Sequence, residues 1–395
     1  MVVTFFKSWE KPDKYILLGL FIFFVFFGFA DLTTYLGLLL MLMGGILVLK
    51  KYSLEIMKNE VIIPLLLLFL LSILSLFNVT NYSKAFSAIG SILEIIIPFL
   101  ITYYLLIKKG SYISRWLFYF MITGSSIITI VAMYEYFILN VDRVESLVGN
   151  ANILGVYMLF VIPHLIINTF YANEVKYKLL FASLSFIHFL ALIFSGSRSA
   201  FLGVLLSAFV LFYIKEKKMI LVFLIVVVLL PLFGSVILYD RLLNTYENFL
   251  EGNREQRFYI WKNAIEMFRN NPIFGVGAGQ FPIYYKVYEH SLSRRIFTHA
   301  HNIYLQIAAE YGLLGIGIIV WLKYIIIKLT SFNFQKLKKS KYALAIFASL
   351  IAFMFQGLFE FSLTDAGGIT ILFGIILGWY IGLIRDSEIE SKFNI

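Results

Sequence analysis

The chain offers few residues able to do chemistry. It has no cysteine, which excludes disulfides, thiolate metal sites and cysteine nucleophiles. Its five histidines are His164, His188, His290, His299 and His301; only the last two lie close together, and no H-E-x-x-H metal spacing occurs. The run Thr298-His299-Ala300-His301-Asn302 opens a long apolar segment. That order predicts His301 in the first turn of a helix, where free amides and the macrodipole are positive. The field suits a neutral ring, and a neutral imidazole at a membrane–water boundary is what a general base requires. A capping or interfacial histidine is the alternative left open. His164 and His188 fall on otherwise apolar stretches and read as structural.

Arginine is the second resource. A planar guanidinium grips phosphate or carboxylate through two parallel hydrogen bonds, which an ammonium does not do. Arg198 stands in Ser195-Gly196-Ser197-Arg198-Ser199, a corner so tight that its side chain is pinned at a boundary. Arg257 sits one turn before Trp261 on an expected surface helix, with Arg254 a turn earlier. An anion clamp is one reading; interfacial anchoring, or pairing with Glu251, Glu255, Glu266 and Glu289, is the other. Asn150 and Asn152 could add amide donors to the same vestibule.

The elements that must position these groups are membrane spans. Of 395 residues, 61% are hydrophobic and 14% charged, with a mean hydropathy of +0.87. Soluble domains carry about 25% charged residues, so a soluble protein is excluded. Twelve apolar segments recur, at 15–30, 32–49, 61–78, 90–107, 113–139, 152–170, 179–195, 199–214, 219–239, 302–328, 343–360 and 368–384. The runs are continuous rather than alternating, which selects helices over a barrel. The expected fold is an all-α polytopic membrane protein of about 12 transmembrane helices. Residues 1–239 carry helices 1–9, 240–301 form a long, partly helical external loop, and 302–395 carry helices 10–12 and a cytoplasmic tail. Lys7, Lys11 and Lys14 before the first run resemble the start of a signal peptide, with Gly28-Phe29-Ala30 as a cleavage site. A second apolar run begins at once, so the first reads as a retained span.

Basic residues set the orientation. With both termini cytoplasmic, 22 of the 33 lysines and arginines fall inside, three (Lys84, Arg143, Arg198) in short external loops, and eight in the long loop. Twenty of the 23 lysines lie inside, whereas eight of the ten arginines lie outside: Arg143, Arg198, Arg241, Arg254, Arg257, Arg269, Arg294 and Arg295. Lysine inside serves topology and anionic lipid. Arginine outside points to an anionic ligand, so the net charge of +10 is no sign of nucleic acid.

In the long loop, Asn253 and Gln256 resemble a capping box that opens a helix ending at Asn270, before Asn271-Pro272. Phe258, Trp261, Ile265 and Phe268 form its apolar stripe. The turn Gly275-Val276-Gly277-Ala278-Gly279 lacks the Lys-Ser/Thr of a nucleotide loop. Below His301, Leu305, Ala308, Gly312 and Gly315 share one helical face, which predicts close approach of another helix. Glu310 is half a turn round from His301 in an unbroken helix and cannot orient it. Glu94, Glu135 and Glu360 fall near the outer ends of their spans and are expected to pair with external arginines.

Taken together, the run from His301 through Asn302, Glu310 and Gly312 to Gly315 closely resembles the O-antigen ligase and polymerase superfamily. Arg257-Phe258-Tyr259-Ile260-Trp261-Lys262-Asn263-Ala264, Asn271-Pro272-Ile273-Phe274-Gly275-Val276-Gly277, Gly149-Asn150-Ala151-Asn152 and Ser195-Gly196-Ser197-Arg198-Ser199-Ala200 resemble its other motifs. The resemblance spans residues 149–317. It implies a GT-C-like, inverting, metal-independent glycosyltransferase of the bacterial inner membrane without cofactor. The implied donor is a glycan on undecaprenyl pyrophosphate, and the active site is periplasmic. A ligase would pass the glycan to a sugar hydroxyl of lipid A–core; a polymerase would pass it to another carrier-linked repeat unit. His301 matches the essential histidine, and Arg198 and Arg257 the pyrophosphate-binding arginines; His299, Asn302, Glu310, Asn150, Asn152 and Arg254 are auxiliary candidates. A twelve-span lipid flippase is the rival from another class, but it should show two similar halves, and none is visible.

Overall fold

A computed structural model describes residues 9–29, 31–57, 59–220, 253–287, 297–360 and 368–393, with backbone alone at 49–57, 253–256 and 386–393. No strand occurs among the described residues. The helices are α1 (Lys11–Val25), α2 (Asp31–Met57), α3 (Ile62–Leu74), α4 (Tyr82–Lys109), α5 (Tyr112–Phe137), α6 (Ala151–Tyr171), α7 (Val175–Ser195), α8 (Arg198–Lys215), α9 (Asn253–Asn270), α10 (Phe281–Tyr285), α11 (Ile303–Phe332), α12 (Phe334–Lys339), α13 (Lys341–Gln356) and α14 (Ile369–Phe393). Among them, seven are long and apolar enough to cross a membrane, and three shorter apolar helices accompany them. The chain is an all-helical polytopic membrane protein. Eleven of the expected spans coincide with helices; the ninth, 219–239, falls almost wholly outside the described residues, as do Arg241, His290, Arg294 and Arg295.

Helix α6 lies at the centre, with Leu154, Tyr157, Leu159, Phe160 and Leu165 fully buried, and packs against α7, α8 and α13. Its start is fixed by Asn150, whose side chain accepts from the Asn152 and Ile153 amides. His164 donates from Nδ1 to the Phe160 carbonyl at 2.8 Å, 5.3 Å from the Trp379 ring. His188 bonds the Leu184 carbonyl and, through Nε2, Ser125 Oγ at 2.9 Å. Both rings are buried. Helices α4 and α14 touch at backbone distance because Gly374, Gly378 and Gly382 line their contact: a Cβ at Gly374 would lie 2.4 Å from the Ile95 carbonyl oxygen.

The tenth span departs from expectation. Its helix is broken at Gly312, where φ is +61° and ψ −154°. The Lys323 ammonium lies 3.8 Å from the centre of the Tyr304 ring, although 19 residues of straight helix would separate them by about 28 Å. The two limbs, 303–311 and 313–332, therefore fold toward each other. A break inside a membrane strands carbonyls and amides that lipid cannot satisfy. Here the chain at 272–277 supplies both sets. Val276 and Gly277 donate to the Ala309 and Glu310 carbonyls at 2.9 and 3.0 Å, and Leu313 and Leu314 donate to the Pro272 and Ile273 carbonyls at 2.8 and 3.4 Å. The Asn271–Gly279 segment is thus a plug for the helix break. What approaches Gly312 closely is this turn, not the helix that the small-residue face suggested.

Helix α9 spans the expected residues but turns a different face inward. Ile260, Ala264 and Met267 are buried with Val276, Phe281, Tyr285, Ala300 and Ala309, while Phe258 is 65% and Ile265 39% exposed. Residues 260, 264 and 267 recur at helical spacing as well as the expected set does, so two apolar stripes competed, and the one able to meet the plug is buried.

Candidate active site

One end of the bundle gathers the start of α6, the corner between α7 and α8, the start of α11 and the residues after α13. His301 sits at their junction, but not in the first turn of α11. The helix starts at Ile303, because the Asn302 side chain caps it by accepting from Tyr304 N at 2.9 Å and Leu305 N at 3.0 Å. His301 precedes that cap with φ +48°, a left-handed conformation in which few non-glycine residues are found. Neighbouring bonds hold it there. Ala300 N donates to Gln306 Oε1, the Ala300 carbonyl accepts from the Trp261 indole at 3.1 Å, and Ile303 N donates to the Gly357 carbonyl. Asn302 Nδ2 also donates to the Leu358 carbonyl.

The strained backbone aims the His301 ring at a carboxylate. Nδ1 lies 2.9 Å from Glu360 Oε1, whose side chain is only 6% exposed. His299 Nε2 lies 3.7 Å from the same oxygen, and the two imidazole centres are 4.3 Å apart. Glu360 Oε2 accepts from Asn152 Nδ2 at 2.9 Å. Asn152 Oδ1 in turn accepts from an Arg143 amino group at 2.8 Å, and Arg143 Nε donates to the Ser195 carbonyl at 3.2 Å. A continuous polar chain therefore runs Ser195–Arg143–Asn152–Glu360–His301 and joins four segments distant in sequence. His301 Nε2 makes no hydrogen bond among the described residues, and the ring is 25% exposed.

Arg198 is the first residue of α8, immediately after Gly196 in the left-handed region (φ +65°) turns the chain. Arg257 lies one turn before Trp261, the residue bonded beside His301. Both guanidinium groups are exposed, and neither makes an ion pair or hydrogen bond among the described residues. The side chain of Arg254 lies outside them. Glu310 is buried and accepts from the Phe281 amide at 3.2 Å; it fastens the plug to α11 rather than orienting His301. Glu94 and Glu135 depart from the arginine pairing expected of them. Glu94 is held by the Tyr35 and Thr370 hydroxyls, and Glu135 by the amides of Glu145 and Ser146. Those groups are close and fixed by the fold, whereas an arginine would have to give up its hydration to reach the same carboxylates.

His299, His301 and Glu360 each offer one ligand atom, all within 4.8 Å of one another. Two imidazoles and a carboxylate are a recognised donor set for zinc-type ions. The same atoms can instead hold and move a proton. An apolar cavity of about 120 Å³ runs between the limbs of α11 and helices α3 and α4, with Leu65, Ile92, Ile307 and Leu322 in its wall. Glu310 and Gln306 separate it from a smaller polar recess that Lys84, Ser87 and Thr298 line.

Residues 182–322 match the family described as O-antigen ligase. The chain is also 26% identical over 230 residues to the ComP-specific O-oligosaccharyltransferase of Acinetobacter baylyi, an alignment covering 55% of this chain and 40% of that protein. The chain thus spans less than half the length of that relative. The matched stretch holds His299, His301, Arg198 and Arg257, yet two of the groups the structure brings to His301 lie outside it, Asn152 before and Glu360 after. Neither Glu360 nor Arg143 was legible as a site residue. The available signal was a carboxylate near a span end, which in a membrane is a functional candidate by cost alone.

Proposed function

We propose that the protein is a ligase-type glycosyltransferase that moves a glycan from a polyprenyl pyrophosphate, undecaprenyl in bacteria, to a hydroxyl acceptor, the sugar hydroxyl of lipid A–core in the ligase reading. The observation that supports it most is His301, with Nδ1 on a buried carboxylate and Nε2 without a partner among the described residues, at the end of the bundle where Arg198 and Arg257 are exposed. The lysine and arginine asymmetry supports a periplasmic side for that end, with both termini in the cytoplasm.

In this reading the acceptor O–H gives its proton to His301 Nε2 as its oxygen bonds to the anomeric carbon. The bond from that carbon to the pyrophosphate oxygen breaks, and its electron pair leaves on the pyrophosphate. Single displacement inverts the anomeric centre. Arg198 and Arg257 hold the pyrophosphate and stabilise the charge that grows on it. With purified protein in liposomes, lipid-linked glycan and acceptor should yield glycosylated acceptor and free polyprenyl pyrophosphate. Movement of intact donor across the bilayer without its cleavage would overturn the proposal in favour of a flippase. A ladder of lengthening carrier-linked glycan would mean a polymerase. The O-oligosaccharyltransferase relative supports a second reading, transfer to a protein hydroxyl, which the same assay resolves by its acceptor.

Two outcomes follow at this site. Arg198→Lys and Arg257→Lys keep the charge but lose the two-pronged geometry, so each should lower kcat/KM for the donor at least tenfold, read from pyrophosphate-carrier release. Transfer should also persist in EDTA, because arginines supply the charge that a metal would otherwise bring. Added Zn²⁺ should inhibit by drawing His299, His301 and Glu360 onto the ion as ligands. Loss of transfer in EDTA, with recovery on adding a divalent ion, would overturn the metal-free part of the reading.

A further inference from the structure

We propose that Glu360 is the positioning residue of the catalytic base, and that Arg143 and Asn152 act on transfer only by holding Glu360. The inference rests on the reading of His301 as that base. Imidazole is an effective base at one nitrogen only if the other is held as N–H and the ring plane is fixed. Glu360 meets both needs. Its Oε1 takes His301 Nδ1–H at 2.9 Å, which leaves the lone pair on Nε2. Its own freedom is removed by Asn152, whose Nδ2 holds Oε2 at 2.9 Å.

Asn152 is fixed twice. Its backbone amide donates to the Asn150 side chain at 2.8 Å as α6 begins, and its Oδ1 is held by Arg143. Arg143 spans Ser195 and Asn152 with two different guanidinium nitrogens. Lysine cannot reproduce that. Of the arginines in the short loops, Arg143 is therefore spent inside the protein, while Arg198 is exposed and without a partner among the described residues. The assignment divides the arginines into a tether, Arg143, and ligand-binding groups, Arg198 and Arg257.

The chain of bonds also explains why the start of α6, the α7–α8 corner and the segment after α13 converge. Each contributes one link, and the last link orients the ring. His299 shares the Glu360 oxygen at 3.7 Å. The carboxylate is thus faced by two imidazoles, of which His301 makes the shorter contact.

The test is a set of single and double variants assayed by carrier release with donor and acceptor varied. Glu360→Gln should lower kcat roughly 100-fold, within the range for disabling a base, with KM for the donor changed less than twofold. In a His301→Ala background the same substitution should add nothing. Asn152→Ala and Arg143→Lys should each lower kcat about tenfold, again with no further loss once His301 is absent. If Glu360→Gln does not insert or fold, the Asn152 and Arg143 variants carry the test, since both leave the carboxylate in place. Full additivity of Glu360→Gln or Asn152→Ala with His301→Ala overturns the proposal, as does a loss confined to KM. Wild-type transfer by His301→Ala alone would instead overturn the reading of His301, a distinct result.

Discussion

His301→Ala should reduce transfer by roughly 10²- to 10⁴-fold, the range general base catalysis contributes, while the protein still inserts and elutes as wild type. The expectation follows from how little of the fold depends on the imidazole. The start of α11 is held by Asn302 and Gln306, not by His301: Asn302 accepts two amides and donates to Leu358, and Gln306 accepts from Ala300. Removing the ring deletes one bond to Glu360, whose other oxygen stays with Asn152. It also removes the side chain from a residue at φ +48°, so Ala inherits the strain without new crowding. Donor binding by the arginines should persist, which predicts a fall in kcat with KM for the donor nearly unchanged. His301→Gln distinguishes hydrogen bonding from proton transfer, since glutamine can meet Glu360 but cannot take the acceptor's proton. Both variants should be equally inactive. Transfer at the wild-type rate by either would mean that the base lies elsewhere.

The sequence carried the spans because run length and hydropathy are local, whereas the caps at Asn150 and Asn302 became visible only in the structure. His301, Arg198 and Arg257 were legible through residue type and place. What holds them was not. Glu360 is 59 positions from His301 and 208 from Asn152, and no periodicity records a pairing over that distance. Arg143 looked like one more external arginine, because side and charge do not reveal whether a guanidinium is spent on a carbonyl and an amide. On α9 the pattern offered two apolar stripes, and only the shape of the plug decides between them. The placement of His301 missed by two residues for a physical reason: a cap-forming Asn at 302 starts the helix after itself and frees the preceding residue to adopt a conformation closed to a helical one.

The break at Gly312 was hidden because apolar character continues across it, and it sets the second large effect. Gly312→Ala and Gly275→Ala should each leave little folded protein. At Gly312 a Cβ would lie 2.4 Å from the Ile273 carbonyl oxygen and 2.7 Å from that of Pro272; at Gly275 it would lie 2.3 Å from the Glu310 carbonyl carbon. All are backbone atoms that cannot swing aside. Both glycines also have positive φ, +61° and +70°, which costs a substituted residue on the order of 1–3 kcal/mol before any clash. If the plug withdraws to relieve the contact, four backbone bonds open at 309–314, in a setting where water does not replace them. The loss should appear as a collapse of the monodisperse peak and a lowered Tm in detergent. Gly317→Ala serves as the control in the same helix, for nothing lies within 4 Å of its Cβ position; it should be neutral or stabilising by up to about 1 kcal/mol. Equal behaviour of the three variants would refute the plug. Because the plug continues into α10 and packs on the face of α9 that reaches Ala300 through Trp261, any Gly275→Ala protein that does fold should lose kcat as well. The helix break and the catalytic histidine would then be parts of one mechanical unit.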